Sequence, residues 1–167
     1  MTDSEETLEE GITIRDVTRA DLPQIERIEQ QAFPNPWPRT SFERYLDADS
    51  FLVAESEDGT VCGYVLADAT IANNINIGHI KNIAVAVQYR GNGIGTRLLQ
   101  HAIATLAITG VTIVMLEVRK TNHNARKLYE RVGFSAVEVR SNYYQDGSDA
   151  IVMSMPVTDH TRPQRKT

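Results

Sequence analysis

Arg90-Gly91-Asn92-Gly93-Ile94-Gly95-Thr96 is the stretch of this chain whose composition most directly suggests ligand chemistry. It follows a segment that reads as a strand, roughly Ile77–Val87. It precedes an apolar stripe at helical spacing: Leu98, Leu99, Ala102, Ile103, Leu106 and Ala107. Glycines let the backbone turn tightly and approach a ligand closely. The first N–H groups of a helix have no internal partners, and the helix dipole adds positive potential beside them. Together these features make an anion site suited to a phosphate or pyrophosphate. A plain strand-to-helix turn does not need three glycines in five residues. A Walker loop requires Gly-Lys-Ser/Thr, whereas Gly95 is followed by Thr96-Arg97. A dinucleotide fingerprint fits Gly91 and Gly93, with Glu117 near the end of a later strand. It fails at Thr96, which stands where the third glycine belongs, and the unit lies mid-chain behind a hairpin.

Two side chains are candidates for proton transfer. Glu117 is the one charge inside Val111–Val118, an otherwise apolar run of strand length expected to be a buried central strand. A carboxylate there is costly unless paired or at a wet end. The readings that stand are a partly desolvated general base with a raised pKa, and a structural carboxylate, either at a solvated strand end or as a partner for Arg119 or Arg126. Tyr129 lies on the apolar stripe of Ala125, Leu128, Tyr129 and Val132, which Gly133 ends. It is either a core tyrosine or a phenol acting as general acid. The lone Cys62 lies in a strand with no evident base nearby, which argues against a covalent cysteine intermediate. His79, His101, His123 and His160 show no metal-ligand spacing. His79 reads as structural and His101 as a helix-surface residue.

The elements that must hold these residues follow from periodicity. Ile12–Val17 alternates as a strand, and Leu22, Ile25, Ile28 and Ala32 recur as a helix behind a capping box at Thr18 and Asp21. Phe33-Pro-Asn-Pro-Trp-Pro38 is a loop, because proline lacks an N–H and restricts its neighbour. Thr40 and Glu43 form a second capping-box signature before a short helix. Strands near Phe51–Glu55 and Val61–Ala67 flank a turn at Glu57–Thr60, and two more close the chain near Ser135–Arg140 and Ala150–Met155. The order is β-α-α-β-β-β-α-β-α-β-β, an α/β (α+β) fold with a mixed sheet and helices on its faces.

The chain has 167 residues, which fits one domain, and its 41% hydrophobic and 23% charged residues are ordinary for a globular protein. Residues 1–10 read as an acidic disordered tail, 11–157 as the domain and 158–167 as a basic disordered tail. The acidic beginning has no signal-peptide pattern, and no apolar run is long enough to span a membrane. The net charge of -5 argues against generic nucleic-acid binding. A single cysteine forms no internal disulfide and suits a reducing, cytoplasmic setting.

Arg90-x-x-Gly93-x-Gly95 after a strand resembles the coenzyme A loop of the GCN5-related N-acetyltransferases (the GNAT family), and Gln88-x-x-Gly91-x-Gly93 matches one step earlier. The later frame sets Gly95 against the following helix. Asn82-Ile-Ala-Val85, Leu116-Glu-Val-Arg119, Asn122, Leu128-Tyr-Glu130, Gly133-Phe134 and Asn142-Tyr-Tyr144 then follow in the order seen in one subfamily. It is that of the ribosomal-protein N-terminal-alanine acetyltransferases and their archaeal relatives, and the likeness runs from about Ile12 to Pro156. The resemblance implies the GNAT fold, with a mostly antiparallel central sheet flanked by helices. It implies transfer of acetyl from acetyl-CoA, without a metal, to a protein N-terminus, in a monomer or weak homodimer. Glu117 corresponds to the base and Tyr129 to the acid that protonates the leaving thiolate. Ile83, Ala84 and Val85 match the splayed strand that pairs with pantetheine. Arg90, Gly91, Asn92, Gly93, Ile94, Gly95, Thr96 and Asn122 match further CoA contacts. Phe33, Pro34, Trp37, Tyr143 and Tyr144 match walls of the acceptor pocket, although Trp37 also reads as a simple core plug.

Two departures stand out. Phe33-Pro34-Asn35 lacks the glutamate that some archaeal and eukaryotic relatives carry in this loop, and Lys81 beside His79 is unusual. A free α-amine costs roughly 1 kcal/mol to deprotonate at pH 7, against about 4–5 kcal/mol for lysine. One modest base therefore suits an N-terminus better. Acetylation of a lysine or small amine, and a non-catalytic acyl-CoA-binding module, are the alternatives.

Overall fold

The computed structural model describes residues 11–157; both expected tails lie outside the described residues. The elements follow the expected order. β1 is Ile12–Asp16, α1 Leu22–Ala32, α2 Arg39–Arg44, β2 Ser50–Ser56, β3 Val61–Ala72, β4 Ile75–Val85 and α3 Ile94–Ile108. β5 is Ile113–Arg119, α4 His123–Val132, β6 Ser135–Arg140 and β7 Ala150–Pro156. Among the described residues seven strands form one sheet in the order β1-β2-β3-β4-β5-β7-β6, in which β4 pairs parallel with β5. The chain divides into two compact units: the described residues up to Ala67 with Asn82–Ala102, and Asp68–Lys81 with the described residues from Ile103 onward.

In the first unit the apolar stripe of α1 supplies Leu22, Ile25 and Ile28 to a core shared with Phe42, Phe51, Val53, Val61, Tyr64 and Leu66. Asp21 caps its approach: its carboxylate accepts from the Thr18 N–H at 2.7 Å and from Arg15 Nη1 at 2.8 Å. The second capping box does not form. α2 has Pro38, in extended conformation, as its N-cap, so Thr40 falls inside the first turn. Gly63 on β3 is where backbone meets backbone. A Cβ there would stand 2.9 Å from the Ala84 carbonyl oxygen and 3.1 Å from Leu98 Cδ1. Gly63→Ala is therefore expected to cost about 1–3 kcal/mol, because β4 cannot retreat as a flexible side chain would. That lowers Tm by several degrees in a domain of this size. Thermal unfolding checks it, and an unchanged Tm would mean that β4 yields freely.

In the second unit β3 and β4 run on past their expected ends to Ala72 and from Ile75. Asn73 and Asn74, at φ 51° and 64°, make the two-residue turn between them, a conformation that asparagine tolerates. β5 pairs antiparallel with β7 along Ile113–Arg119, and β7 pairs with β6. The apolar run of β5 is not buried on both faces. Val114, Leu116 and Val118 are buried, while Ile113, Met115, Glu117 and Arg119 are half-buried. The strand's period of two thus gives Glu117 a half-open face.

Candidate active site

The parallel register of β4 and β5 runs from Ile77 opposite Ile113 to His79 opposite Met115, and stops there. Glu117 is therefore the diagonal neighbour of His79 on the same face, within side-chain reach. His79 Nε2 stands 2.5 Å from Glu117 Oε2. With Glu117 ionised, Nε2 carries the shared proton. Arg140 of β6 places Nη1 3.5 Å from Glu117 Oε1. The Glu117 side chain is 15% exposed.

These partners reverse one expectation. Desolvation alone would raise the Glu117 pKa. The His79 hydrogen bond outweighs it, and the charges of His79 and Arg140 add to that, so the carboxyl is held below its ordinary value. The partners are also not the expected ones. Arg119 instead bonds Asp146 at 2.8 Å, and Arg126 donates to the Lys120 carbonyl at 3.1 Å. Reading His79 as merely structural missed this pair. Its signal is the register itself, which no single strand displays. His79→Ala removes the largest cause of the lowered Glu117 pKa while burial, which raises it, remains. The acid limb of kcat/KM is then expected to move to higher pH. A pH–rate profile checks this, and an unmoved limb would detach His79 from the proton balance of the site.

Tyr129 on α4 is buried, 7% exposed, with its ring 6.0 Å from that of Phe134 in an edge contact. Burial, reinforced by nearby Tyr144, pushes its phenol well above the ordinary value, so it stays protonated even at pH values where an ordinary phenol ionises. Asn122 caps α4, its side-chain oxygen accepting from the Ala125 N–H at 3.2 Å. That gives Asn122 a structural duty beside the expected CoA contact. Tyr143 and Tyr144 sit edge to face with centroids 5.0 Å apart, and the Arg119 guanidinium lies 4.1 Å over the Tyr144 ring.

In the other unit, Gly91 and Gly93 adopt φ of 82° and 76°, the left-handed region that favours glycine. The first intrahelical bond of α3 runs from Arg97 N–H to the Gly93 carbonyl at 3.1 Å. Ile94, Gly95 and Thr96 therefore carry the N–H groups that precede the helical ladder. Gly95 lies inside α3, so Gly91 and Gly93 shape the turn. Arg90 Nε donates to the Val85 carbonyl at 3.0 Å, tying the loop to the end of β4. Asn92 Nδ2 donates to the Tyr89 carbonyl at 3.1 Å and braces the loop. Ile83 and Val85 are half-buried and Ala84 is buried. Phe33 and Trp37 are half-buried against the core, and Pro34 is exposed. Trp37 packs on Tyr45 and Phe42 at centroid distances of 5.9 and 5.6 Å, so it takes part in the core as well as bordering the loop. Cys62 is fully buried, and burial pushes its thiol pKa up. Among the described residues no group of three or more His, Cys, Asp or Glu is placed to hold a metal, and no helix is long and apolar enough to cross a membrane.

Comparison with known proteins agrees with this geometry. The model of the acetyltransferase (GNAT) family matches residues 22–134. An N-alpha-acetyltransferase of Sulfolobus acidocaldarius is 37% identical over 155 residues, covering 86% of this chain and 92% of that protein. The ribosomal protein bS18-alanine N-acetyltransferase of Escherichia coli K12 is 36% identical over 154 residues, covering 87% of this chain and 98% of that protein. The crystal structure of the ribosomal-protein-S18-alanine N-acetyltransferase from Escherichia coli superimposes with a TM-score of 0.73 at 31% identity, covering 93% of this chain and 99% of that one. With a mixed seven-stranded sheet, a left-handed glycine turn opening α3 and a carboxylate on β5, the chain belongs to the GNAT family of acetyltransferases.

Proposed function

We propose that this enzyme moves acetyl from acetyl-CoA directly to the α-amine of a protein N-terminus. The observation that carries the reading is the Glu117–His79 pair: an ionised carboxylate on a half-open strand face, with an imidazole 2.5 Å away. A cationic α-ammonium is attracted to such a site. Glu117 takes one proton from that ammonium, directly or through water, and the neutral amine that results attacks the acyl carbon and forms the new C–N bond. The nitrogen so bonded is strongly acidic, so its second proton is lost without a strong base, while His79 holds the Glu117 carboxylate in place. As the C–S bond breaks, the thiolate takes its proton from the Tyr129 phenol and CoA leaves as the thiol; solvent then returns a proton to the phenolate while Glu117 releases the one it took. Backbone N–H groups near Val85 polarise the thioester carbonyl. The left-handed turn at Gly91 and Gly93 and the opening of α3 hold the CoA phosphates. The buried, hard-to-ionise Cys62 supports transfer without a covalent enzyme intermediate.

The acceptor class follows from the relatives, which are named for N-alpha and alanine acetylation. A ribosomal protein N-terminus and a cytoplasmic setting belong to the same proposal. The test is intact-mass analysis of peptides beginning with Ala, Ser or Met-Leu/Glu, each with an internal lysine, after incubation with acetyl-CoA. Fragmentation that places the acetyl at the α-amine supports the reading. Acetyl at lysine overturns it in favour of a lysine acetyltransferase. No transfer despite tight acetyl-CoA binding overturns it in favour of a small-amine acceptor or a binding module.

A further inference from the structure

The Phe33–Pro38 loop is poor in the groups that usually fix a backbone. Pro34, Pro36 and Pro38 have no N–H, and the segment has no regular structure between α1 and α2. Three N–H groups remain, and Glu29 takes two of them. Its carbonyl accepts from the Phe33 N–H at 3.1 Å, and its carboxylate Oε1 accepts from the Trp37 N–H at 3.1 Å. The other oxygen, Oε2, accepts from the Tyr64 hydroxyl on β3 and from Asn82 Nδ2 on β4 at 2.8 Å. Glu29 is 1% exposed. Burial raises its pKa, while the bonds from Tyr64, Trp37 and Asn82 act against that rise.

A carboxylate this deep is expensive, and an apolar side chain of similar volume often does as well or better for stability alone. What an apolar residue cannot do is accept a hydrogen bond from a loop that has few donors to spend. We infer that Glu29 is the positioning residue of the acceptor loop. Its carboxylate fixes the Trp37 backbone relative to β3 and β4, beside the Ile83–Val85 segment, and so sets the shape of the wall that receives the peptide. The inference rests on the proposed acceptor role of Phe33 and Trp37. It assigns Glu29 no contact with either substrate.

The test compares Glu29→Met, which keeps volume and loses the acceptor, with Glu29→Gln. The Gln amide oxygen can still accept from Trp37, and its nitrogen can donate to the Tyr64 oxygen and, once the Asn82 amide turns over, to Asn82 Oδ1. Trp37 is the single tryptophan, so its emission and its quenching by acrylamide report on the loop alone. Glu29→Met is expected to raise KM for an N-terminal peptide at least about tenfold, leave KM for acetyl-CoA within about twofold, and make Trp37 more quenchable. Glu29→Gln is expected to bring peptide KM back within about threefold of the parent. Parallel losses in both KM values, with Gln no better than Met, would mark a merely structural role and overturn the inference. Unchanged quenching and unchanged peptide KM would overturn it and leave the pocket reading intact. Increased quenching with unchanged peptide KM would remove Trp37 from the acceptor pocket, and the inference with it. If Glu29→Met does not fold, hydrogen exchange on the parent enzyme decides. Slow exchange of the Trp37 amide supports the anchor, and exchange at the free-peptide rate overturns it.

Discussion

Glu117→Gln is expected to lower kcat at pH 7 by about 10²–10³-fold with acetyl-CoA affinity within about threefold of the parent enzyme. Gln keeps the shape and can still accept from His79, but it can neither take a proton nor attract an ammonium. The pH dependence carries the sharper test. The carboxyl is held below its ordinary value, chiefly by His79. The parent enzyme therefore keeps its base ionised down to pH values where an ordinary glutamate would be partly protonated. Toward alkaline pH a free α-amine, with a pKa near 7.7–8.0, deprotonates unaided. The deficit of the variant should then shrink between pH 7 and pH 9. A deficit that stays constant across that range would mean that Glu117 orients a group rather than moving a proton. Full activity at neutral pH would remove it from the mechanism. The same shift affects stability. A carboxyl whose folded pKa is depressed stabilises the fold above its unfolded pKa, and that contribution is lost as pH falls through the folded value. Glu117→Gln lacks that term, so its Tm should fall less steeply on acidification than the parent's.

The residues that act alone along the chain were legible in the sequence, and those defined by pairing across strands were not. The turn at Gly91 and Gly93 announces itself because left-handed backbone selects glycine locally, and the α4 stop at Gly133 does so too, whereas the cap at Asn122 was not read from the sequence. Glu117 is visible as a charge in an apolar run, yet the sign of its pKa shift depends on His79, which sits 38 residues earlier and meets it through a parallel register. No local pattern encodes that register. Glu29 was readable but overlooked. It falls four residues after Ile25 and seven after Leu22, on the buried stripe of α1, and a carboxylate on such a stripe signals a hydrogen-bonded core charge. The long β3–β4 hairpin was underestimated because Asp68–Thr70 and Asn73–Asn76 interrupt the apolar alternation there, leaving the sequence without a strong strand pattern. The Asn-Asn pair at its tip was the available clue.

Tyr129→Phe isolates the second half of the reaction. Phe preserves the ring, its edge contact with Phe134 and its burial, so the fold should tolerate the change. What disappears is the one proton that the thiolate is proposed to receive. Desolvation and Tyr144 keep that phenol protonated beyond the ordinary tyrosine range. The parent enzyme should therefore show no alkaline loss of kcat from this group up to about pH 10, where an unperturbed phenol would already be half ionised. Removing the hydroxyl should lower kcat about 10–100-fold, with KM for the peptide and affinity for acetyl-CoA little changed. The loss also has a direction in leaving-group chemistry. A CoA analogue with a more acidic thiol needs less help to depart. The ratio of parent to variant rate should fall when such a thioester replaces acetyl-CoA. A ratio indifferent to thiol acidity, at undiminished kcat, would return Tyr129 to the core. A ratio that falls would show that the buried Tyr129 hydroxyl serves the reaction through its proton.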